Sequence, residues 1–187
     1  MGRNEKSLSK VYKFRKYILG GIFMLFITVG THEQSFDRLL KCIDKMVEEG
    51  IINEKIICQK GYTEYQPQNY KAVKLMPYNQ IQENIKKARI VITHGGPASF
   101  LEVLKYGKIP IVVPRKKDFN EHVNNHQLEF SRQVSKRMNN IIVAETDEEI
   151  IDAIVNYEEK IKKLSSKNIS NNVSFNKNLI KEINNMI

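Results

Sequence analysis

The stretch RIVITHGGPASFLEVL, from Arg89 to Leu104, decides the fold of this chain. Its apolar residues 90–92 predict a central strand. The following His94-Gly95-Gly96 predicts a turn whose main-chain N–H groups can approach a ligand closely, because glycine carries no side chain. Pro97 suits the first position of a helix, where no N–H donor is needed. The free N–H groups and the dipole of such a helix favour an anion by about 0.3–1 kcal/mol, so the junction predicts a phosphate-binding loop.

The helix after this turn carries a lone acid, Glu102, on its polar side. At about 100° per residue, Ser99 and Glu102 lie opposite the apolar arc that contains Phe100 and Leu104. Glu102 lies about 7.5 Å along the axis from the helix start, which matches the reach from a diphosphate to its ribose hydroxyls. The GxGxxG pattern of nicotinamide sites is absent from the sequence. A nucleotide diphosphate is the indicated ligand, although an ordinary turn with Ser99 and Glu102 on a solvated face fits the local pattern equally well.

From Met24 onward, strand patterns alternate with helix patterns, which predicts an α/β, Rossmann-like parallel sheet with helices on both faces. Strands are predicted at Met24–Val29, Lys55–Cys58, Ala72–Met76, 90–92, Ile109–Pro114 and Asn140–Ala144. Helices are predicted at about Ser35–Glu49, 79–88, 97–106 and Phe175–Ile187. A further helix is predicted where Val123, Gln127, Phe130 and Val134 align on one side, and another after a capping box at Thr146–Glu149. The polar loop Gln59–Tyr70 is placed where it could cover a ligand.

The length of 187 residues fits one main domain. We predict a basic N-terminal extension at 1–23, a Rossmann-like domain at 24–164, and a polar linker with an amphipathic helix at 165–187. The extension reads as an added segment, since residues 20–24 can be encoded by a ribosome-binding sequence followed by a start codon at Met24. A basic amphipathic anchor or a signal-like stretch are the alternatives for this segment.

Charge and cysteine content exclude several classes of protein. The net charge is +9, but residues 1–23 contribute +5 of it, with six basic residues against Glu5. The remaining excess is too small to indicate a nucleic-acid-binding protein, and no basic motif interleaved with aromatic residues supports one. Cys42 and Cys58 are scattered, which indicates a reduced, cytoplasmic setting rather than a disulfide framework.

Two longer stretches, taken in order, resemble a known family. FITVGTHEQSFDRLL and VITHGGPASFLEVLKYGKIPIVVPRKKDFNEHVNNHQLEF are similar to the donor-binding half of GT-B glycosyltransferases of family 28. The likeness covers about residues 24–160. It is strongest to the small catalytic subunits of two-component capsular and exopolysaccharide galactosyltransferases, which are related to the catalytic subunit of the dolichol-pathway N-acetylglucosaminyltransferase. The resemblance implies a single half of a GT-B fold, and it implies that the domain at 24–164 binds the nucleotide-sugar donor.

The resemblance also implies roles for individual residues. It places Gly30 and Thr31 at the diphosphate of a UDP-sugar and His32 near the transferring sugar or phosphate. It places His94, Gly95, Gly96 and Ser99 at the second phosphate-facing loop. Glu102 matches the ribose-binding acid, in agreement with its position on the helix, and Asn120 and Glu121 fall where the family holds the donor sugar's hydroxyls.

Glycosyl transfer needs a stabilised leaving diphosphate and a base for the acceptor hydroxyl. His32 is the candidate catalytic residue, because its ordinary pKa lies near neutrality, while a loop histidine that only donates to phosphate, with the base on a partner, is the alternative. No Asp-x-Asp pair occurs, so we expect no required metal and no cofactor besides the donor, with helix N-termini and Arg115 neutralising the diphosphate. His122 and His126 have the spacing of zinc ligands but no further ligands near them in the sequence.

The full two-domain enzymes carry an acceptor-binding domain before the donor half. The resemblance therefore implies a membrane-anchored, acceptor-binding partner subunit that brings this chain to the cytoplasmic face of the membrane, where a lipid-linked saccharide is the acceptor. Arg115-Lys116-Lys117 is then either a docking surface or a solvated basic loop. The expected function is transfer of a hexose, galactose favoured, from a UDP-sugar in capsule or exopolysaccharide synthesis. The alternative is a non-catalytic enhancer that positions another subunit.

Overall fold

The structure of the chain is a computed structural model that describes residues 23–167. Its strands are β1 (Met24–Thr28), β2 (Lys55–Gln59), β3 (Ala72–Val73), β4 (Ile90–His94), β5 (Ile111–Val113) and β6 (Ile142–Val143). Its helices are α1 (Asp37–Glu48), α2 (Tyr78–Lys87), α3 (Pro97–Lys105), α4 (His126–Met138), α5 (Asp147–Val155) and α6 (Tyr157–Lys167), with a 3₁₀ turn at Lys117–Phe119. The predicted extension before Phe23 and the predicted terminal helix lie outside the described residues. None of the helices described between 23 and 167 has the length and apolar character needed to cross a membrane.

The six strands form one parallel sheet in the order β3-β2-β1-β4-β5-β6. All five residues of the central strand β1 are buried, as expected for a parallel sheet that is covered on both faces. Leu25 and Ile27 pack with Leu39 of α1 in one apolar cluster, whereas Phe26 packs with Ile85 of α2 on the opposite face. The predicted α/β, Rossmann-like fold with helices on both faces is therefore confirmed.

The strands near the sheet edges are shorter than the sequence pattern predicts. Strand β5 covers only three residues of the predicted Ile109–Pro114, because Pro110 and Pro114 lack the N–H that continued pairing would need. Strand β3 pairs only with β2 and ends at Val73, after which the Met76 N–H donates to Gln59 Oε1 instead of to a strand. Apolar content thus predicted where each strand lies but not how far its hydrogen-bond ladder extends.

The helix predicted to include Val123 begins later than its apolar spacing indicates. Val123 lies in the preceding loop and is 68% exposed, and α4 starts at His126. Three local bonds hold the loop in turns: Asn124 N–H donates to His122 Nδ1, His126 N–H to Asn124 Oδ1, and Lys117 N–H to Asn125 Oδ1. Asparagine side chains that bond to nearby main-chain groups compete with helix formation, which explains the late start.

The capping box at the start of α5 forms as predicted. Thr146 is the N-cap, and its Oγ1 accepts from the Glu149 N–H at 3.2 Å. The Glu149 side chain reaches back to the Glu145 N–H at 2.6 Å, one residue before the cap. The bond to Thr146 satisfies a donor that the first turn of the helix leaves free, and the bond to Glu145 fixes the residue before the cap. The start of α5 was therefore predictable from local sequence alone.

The polar loop Gln59–Tyr70 is fastened to α1 by the buried carboxylate of Asp44. Asp44 Oδ2 accepts from Tyr65 OH at 2.7 Å and from the Gln68 N–H at 2.8 Å, and Oδ1 accepts from the Asn69 N–H at 2.9 Å. The loop is therefore held on the flank of α1 and is not a free cover for a ligand, which corrects the expectation from its polar composition.

We expect Asp44→Ala to lower the free energy of unfolding by about 2–3 kcal/mol, because several hydrogen bonds to a charged group are lost. Burial opposes the charge of Asp44, but the bonds from Gln68, Tyr65 and Asn69 outweigh it and hold the pKa of this carboxyl below its ordinary value. The stabilisation is therefore complete above the unfolded pKa of about 4 and is lost as pH falls through the folded pKa.

Urea unfolding at pH 7 and pH 3 measures this effect. The difference between the unaltered chain and the variant should shrink at the lower pH. Exposed Asp118 provides the matched control, since Asp118→Ala should change the free energy of unfolding by less than about 0.5 kcal/mol. Equal effects of the two substitutions would contradict the role given to Asp44.

Candidate functional site

Three loops meet at one edge of the sheet, where the carboxyl ends of β1, β4 and β5 lie side by side. The register pairs Thr28 with Thr93 and His94 with Val113, so the loops 29–36, 94–96 and 114–125 leave the sheet at neighbouring positions. Every predicted site residue outside helix α3 lies on one of these loops. In open α/β sheets this edge is where ligands bind.

The imidazole of His94 is wedged between the two glycine turns. A Cβ atom on Gly30 would come within 2.5 Å of His94 Cε1, and a Cβ atom on Gly96 would overlap Nε2 of the same ring. Gly30 also has a left-handed φ of +75°. Gly30 and Gly96 thus make room for the ring of His94. The sequence pattern predicted that these glycines let the main chain approach a ligand, but it did not predict this second requirement.

His94 is neutral at pH 7. Burial and the nearby charge of Arg115 lower the pKa of His94 to about 4, although a hydrogen bond to the main chain of Thr28 partly opposes them. Its Nδ1 is hidden from solvent and has no hydrogen-bond partner in the part of the chain that the structure describes. A neutral ring contributes no positive charge, so charge for an anion here must come from other groups.

Helix α3 begins with an uncapped turn beside a cavity. Gly96 is its N-cap, no side chain bonds to this end of the helix, and Pro97 has no N–H. A cavity of about 440 Å³ opens against the turn, and its lining residues are Gly95, Gly96, Pro97, His122, His126, Gln127, Glu129, Phe130 and Gln133. A larger cavity of about 570 Å³ runs along β2 and β3, away from the three loops. At this turn the Gly95 N–H already donates to Gln127 Oε1 and the Ser99 N–H to the Gly96 carbonyl. The main-chain donors left for an anion are therefore the N–H groups of Gly96 and Ala98.

Glu102 is ionised and held toward α2. Tyr78 OH and Gln82 Nε2 donate to its Oε1 at 2.9 and 3.2 Å, and Lys105 Nζ lies 3.0 Å from Oε2. Burial opposes its charge, but the bonds from Lys105, Gln82 and Tyr78 hold the pKa of Glu102 below its ordinary value. A carboxylate has about four lone-pair sites, so these three donors leave one for a ligand hydroxyl. Ser99, three residues earlier on α3, is half-buried.

His32 projects from the first loop toward His122. The two ring centroids lie 4.6 Å apart, and the Gln34 N–H donates to His32 Nδ1 at 3.2 Å. Burial, followed by the charges of His122 and Arg115, lowers the pKa of His32, while Glu33 opposes this shift. His32 is therefore mostly neutral at pH 7, the protonation state that a general base needs. Thr31, the preceding residue, is exposed.

Arg115 lies inside the protein, contrary to the expectation of a surface or phosphate contact. Its relative exposure is 0%, and its guanidinium donates to the carbonyl oxygens of Val29, Gln34 and Glu121 at 3.0, 2.7 and 3.2 Å. Burial lowers the pKa of Arg115 to about 10, against the opposing charge of Glu121, so it stays protonated. It joins the first loop to the third, and its positive charge contributes to the lowered pKa of the half-buried His94.

Glu121 is also buried, with 2% exposure, and both of its oxygens are engaged. Arg38 pairs with it through Nε at 3.0 Å and NH2 at 3.1 Å, and the Lys116 N–H donates to Oε2 at 3.0 Å. This geometry suits a residue that positions the loop. Asn120 is exposed beside it, with a left-handed φ of +55°, and its carbonyl accepts from Gln34 Nε2. Contact of either residue with a donor sugar stays a prediction.

Gln127 is a site residue that the sequence reasoning missed. Its Oε1 accepts from the Gly95 N–H at 3.1 Å and from the Arg115 N–H at 3.2 Å, so one amide joins two of the three loops. A signal for it existed, because Gln127 is the polar member of an otherwise apolar predicted stripe. His122 was considered only as a zinc ligand, yet it lies against His32 and lines the cavity.

No group of three or more His, Cys, Asp or Glu side chains within the described residues 23–167 could hold a metal ion. His126 is exposed, and its Nδ1 lies 3.9 Å from Glu129 Oε2. The expectation that the chain needs no metal stays a prediction.

Comparison with known proteins places this chain in a family. A model described as "Glycosyltransferase family 28 C-terminal domain" matches residues 24–183. The human protein "UDP-N-acetylglucosamine transferase subunit ALG13" is 36% identical over 121 residues, which are 60% of this chain and 10% of that protein. The Yarrowia lipolytica protein of the same name is 32% identical over 63 residues, 34% of this chain and 30% of that protein. The chain therefore spans only a part of the length of these relatives.

A solved structure shares the fold. The structure of CalG4, the calicheamicin glycosyltransferase, aligns with a TM-score of 0.51 and 13% identity, over 88% of this chain and 43% of that chain. At this identity the likeness concerns the fold alone, and it agrees with the Rossmann-like sheet described above. The match of the family model to most of the sequence shows more: the chain belongs to glycosyltransferase family 28 and carries its C-terminal domain.

Proposed function

We propose that this chain is the UDP-sugar-binding catalytic subunit of a two-component glycosyltransferase. The observation that carries the proposal is the geometry of α3. Its uncapped start borders a cavity on the side of α4, and the ionised Glu102 lies further along the same helix on the side of α2, outside the lining of that cavity. Anions bind well at such helix starts, and a carboxylate accepts hydrogen bonds from ribose hydroxyls. Membership of the glycosyltransferase family and the transferase subunits among its relatives support the same assignment.

In the proposed reaction an acceptor hydroxyl attacks the anomeric carbon of the sugar. The bond from that carbon to the β-phosphate oxygen breaks, the electron pair leaves with UDP, and the hydroxyl proton passes to a base. The start of α3 and the potential of buried Arg115 stabilise the charge that grows on the diphosphate. His32 is the candidate base on this chain, and otherwise the base lies on the partner subunit. We propose that no metal is required.

We propose a hexose as the transferred group, with a lipid-linked saccharide as acceptor in capsule or exopolysaccharide synthesis. The resemblance of the loop motifs favours galactose, whereas the relatives are named for UDP-N-acetylglucosamine, so both donors belong in the test. The proposed partner is a membrane-anchored, acceptor-binding subunit, which would keep this chain at the cytoplasmic face of the membrane. Its expected form is a short protein with one amino-terminal membrane helix, encoded next to this chain.

Calorimetric titration tests the donor site. UDP should bind, and Glu102→Gln should weaken it about 10- to 100-fold, because a hydrogen bond to a charged group is lost. If the carboxylate accepts a hydrogen bond from the ribose 2′-hydroxyl, the substitution should reduce the affinity for 2′-deoxy-UDP less than the affinity for UDP. Glu83→Gln is the matched control, since Glu83 is exposed on α2 and should leave binding unchanged.

The titration is run with the chain alone and with the chain co-expressed with its neighbouring reading frame. Binding of UDP-galactose or UDP-N-acetylglucosamine in either preparation supports the donor site and indicates the sugar. If millimolar UDP gives no heat in both preparations, the proposal is wrong and the chain is better described as a non-catalytic enhancer.

A further inference from the structure

His32 and His122 come from different loops and present the same ring edge to the site. In each residue Nδ1 accepts a main-chain N–H from two residues later, Gln34 N for His32 at 3.2 Å and Asn124 N for His122 at 3.3 Å. A neutral imidazole that accepts at Nδ1 carries its proton on Nε2. Both rings therefore hold their Nε2–H on the side away from their own loops.

The pair adjoins the anion site at the start of α3. His122 lines the same cavity as Gly95, Gly96 and Pro97, and its ring centroid is 4.6 Å from that of His32. The charged or titratable groups that act on His32 are His122, Arg115 and Glu33. Among the described residues, no ion pair joins a carboxylate to either ring, since Glu121 nearby is engaged by Arg38. His126 and Glu129 of α4 line the same cavity, and Glu129 Oε2 lies 3.9 Å from His126 Nδ1. The carboxylate on this cavity is therefore placed toward His126, and the pair together with Arg115 supplies the groups that favour an incoming anion.

We propose that His122 is a second donor to the nucleotide diphosphate, paired with His32 through Nε2 of both rings. We also propose that one of the two rings takes up a proton at Nδ1 when the diphosphate binds, and that this Nδ1 then releases the main-chain N–H that it accepts in the free protein. This inference rests on the proposed function and takes its alternative form, in which His32 donates to the phosphate and the base lies on the partner subunit. It adds a residue and a pH dependence to that function. Two Nε2–H groups can reach two phosphate oxygens. The proton taken up at Nδ1 charges one ring and strengthens the bond from its Nε2–H to phosphate, because charge-assisted hydrogen bonds are stronger than neutral ones.

The direction of the pH dependence follows from the free protein. Burial, His122 and Arg115 lower the pKa of His32 before the ligand binds, whereas a neighbouring phosphate favours the charged ring and raises that pKa. Proton uptake occurs at pH values between the free and the bound pKa, so donor affinity should fall as pH rises through this window. The same proton would oppose the negative charge that UDP gains as its bond to the sugar breaks.

Two substitutions of His122 separate its contributions. Asparagine can keep the acceptor that holds the loop at Asn124 but removes the outward donor. Glutamine can keep an outward N–H but cannot take up a proton. We expect His122→Asn to weaken donor binding about tenfold at pH 6.5. We expect the donor affinity of His122→Gln to lie closer to that of the unaltered chain, with part of its pH dependence lost.

The experiment is calorimetry with UDP-galactose and UDP-N-acetylglucosamine from pH 6 to 8.5, in buffers of different ionisation enthalpy, so that proton uptake is measured directly. These donors are phosphate diesters and do not titrate in this range, unlike free UDP. Unchanged affinity and proton uptake in both variants would overturn the paired role of His122 alone. If the unaltered chain binds neither donor, nor UDP, the proposed function fails, and the pair fails with it.

Discussion

Replacing Arg115 by methionine should lower the free energy of unfolding by about 3–5 kcal/mol, as expected when one partner of a buried charged network is removed. Methionine fills much of the same volume above the ring of Phe36, whose centroid lies 4.7 Å from the Arg115 guanidinium carbon. What it cannot replace are the donors to the carbonyls of Val29, Gln34 and Glu121. These carbonyls would be left without partners in a buried environment, which is the main cost of the change.

Urea unfolding followed by circular dichroism measures this loss. Lys117→Met is the control, because Lys117 is an exposed cation two residues away and should change the free energy of unfolding by less than about 0.5 kcal/mol. A second readout is independent of stability. Since the charge of Arg115 contributes to the pKa of about 4 at His94, NMR titration should show this pKa rising in Arg115→Met. A loss below about 1 kcal/mol, or an unmoved His94 pKa, would contradict the network.

Local patterns predicted the sheet and the main elements of this fold because each depends on neighbouring residues. The buried run of β4, the glycine turn after it, and Pro97 at the start of α3 are all encoded within a few positions. The capping box of α5 is equally local. The same holds for Glu102, whose place on the polar side of α3 followed from helical periodicity.

Contacts between distant segments were not predictable in the same way. Arg38 and Glu121 meet across 83 positions, and nothing in the spacing of either residue indicates the other. Nothing in the sequence therefore indicated that both oxygens of Glu121 have partners within the protein, and the sugar contact that the resemblance implies stays a prediction. The burial of Arg115 was not predictable either. Its partners are main-chain carbonyl groups, which every residue has, so the sequence does not indicate where they lie. The loop 114–125 is built from such contacts, which is why its prediction was the weakest.

The glycines of the two turns provide the sharpest test of how the site is packed. Gly96→Ala should reduce transferase turnover about 100-fold, since displacement of site groups by about 1 Å can cost this much. The new Cβ would overlap the ring of His94. The ring cannot move away from it, because Gly30 packs against the Cε1 atom of the same ring. Overpacking of this kind should also lower the free energy of unfolding by about 1–3 kcal/mol.

Backbone strain can be separated from crowding within this chain. Gly30 and Gly50 both have left-handed φ angles, +75° and +70°, but a Cβ on Gly50 would meet nothing within 4 Å. Gly50→Ala should therefore cost only the left-handed conformation, about 1–2 kcal/mol, whereas Gly30→Ala should cost this and the contact with His94. Gly96 has an ordinary φ of −69°, so Gly96→Ala should cost only the contact with His94 and no backbone strain.

A double-mutant cycle with His94→Ala identifies the ring as the cause. If His94 is what the Cβ atom meets, Gly96→Ala should lose most of its effect on unfolding in the His94→Ala background, and the coupling should approach the whole cost of the single substitution. Additive effects would place the crowding elsewhere, for example at the main-chain N–H groups that start α3. In that case the glycines serve the ligand directly, as the sequence pattern first indicated, and His94 only fills the space beside them.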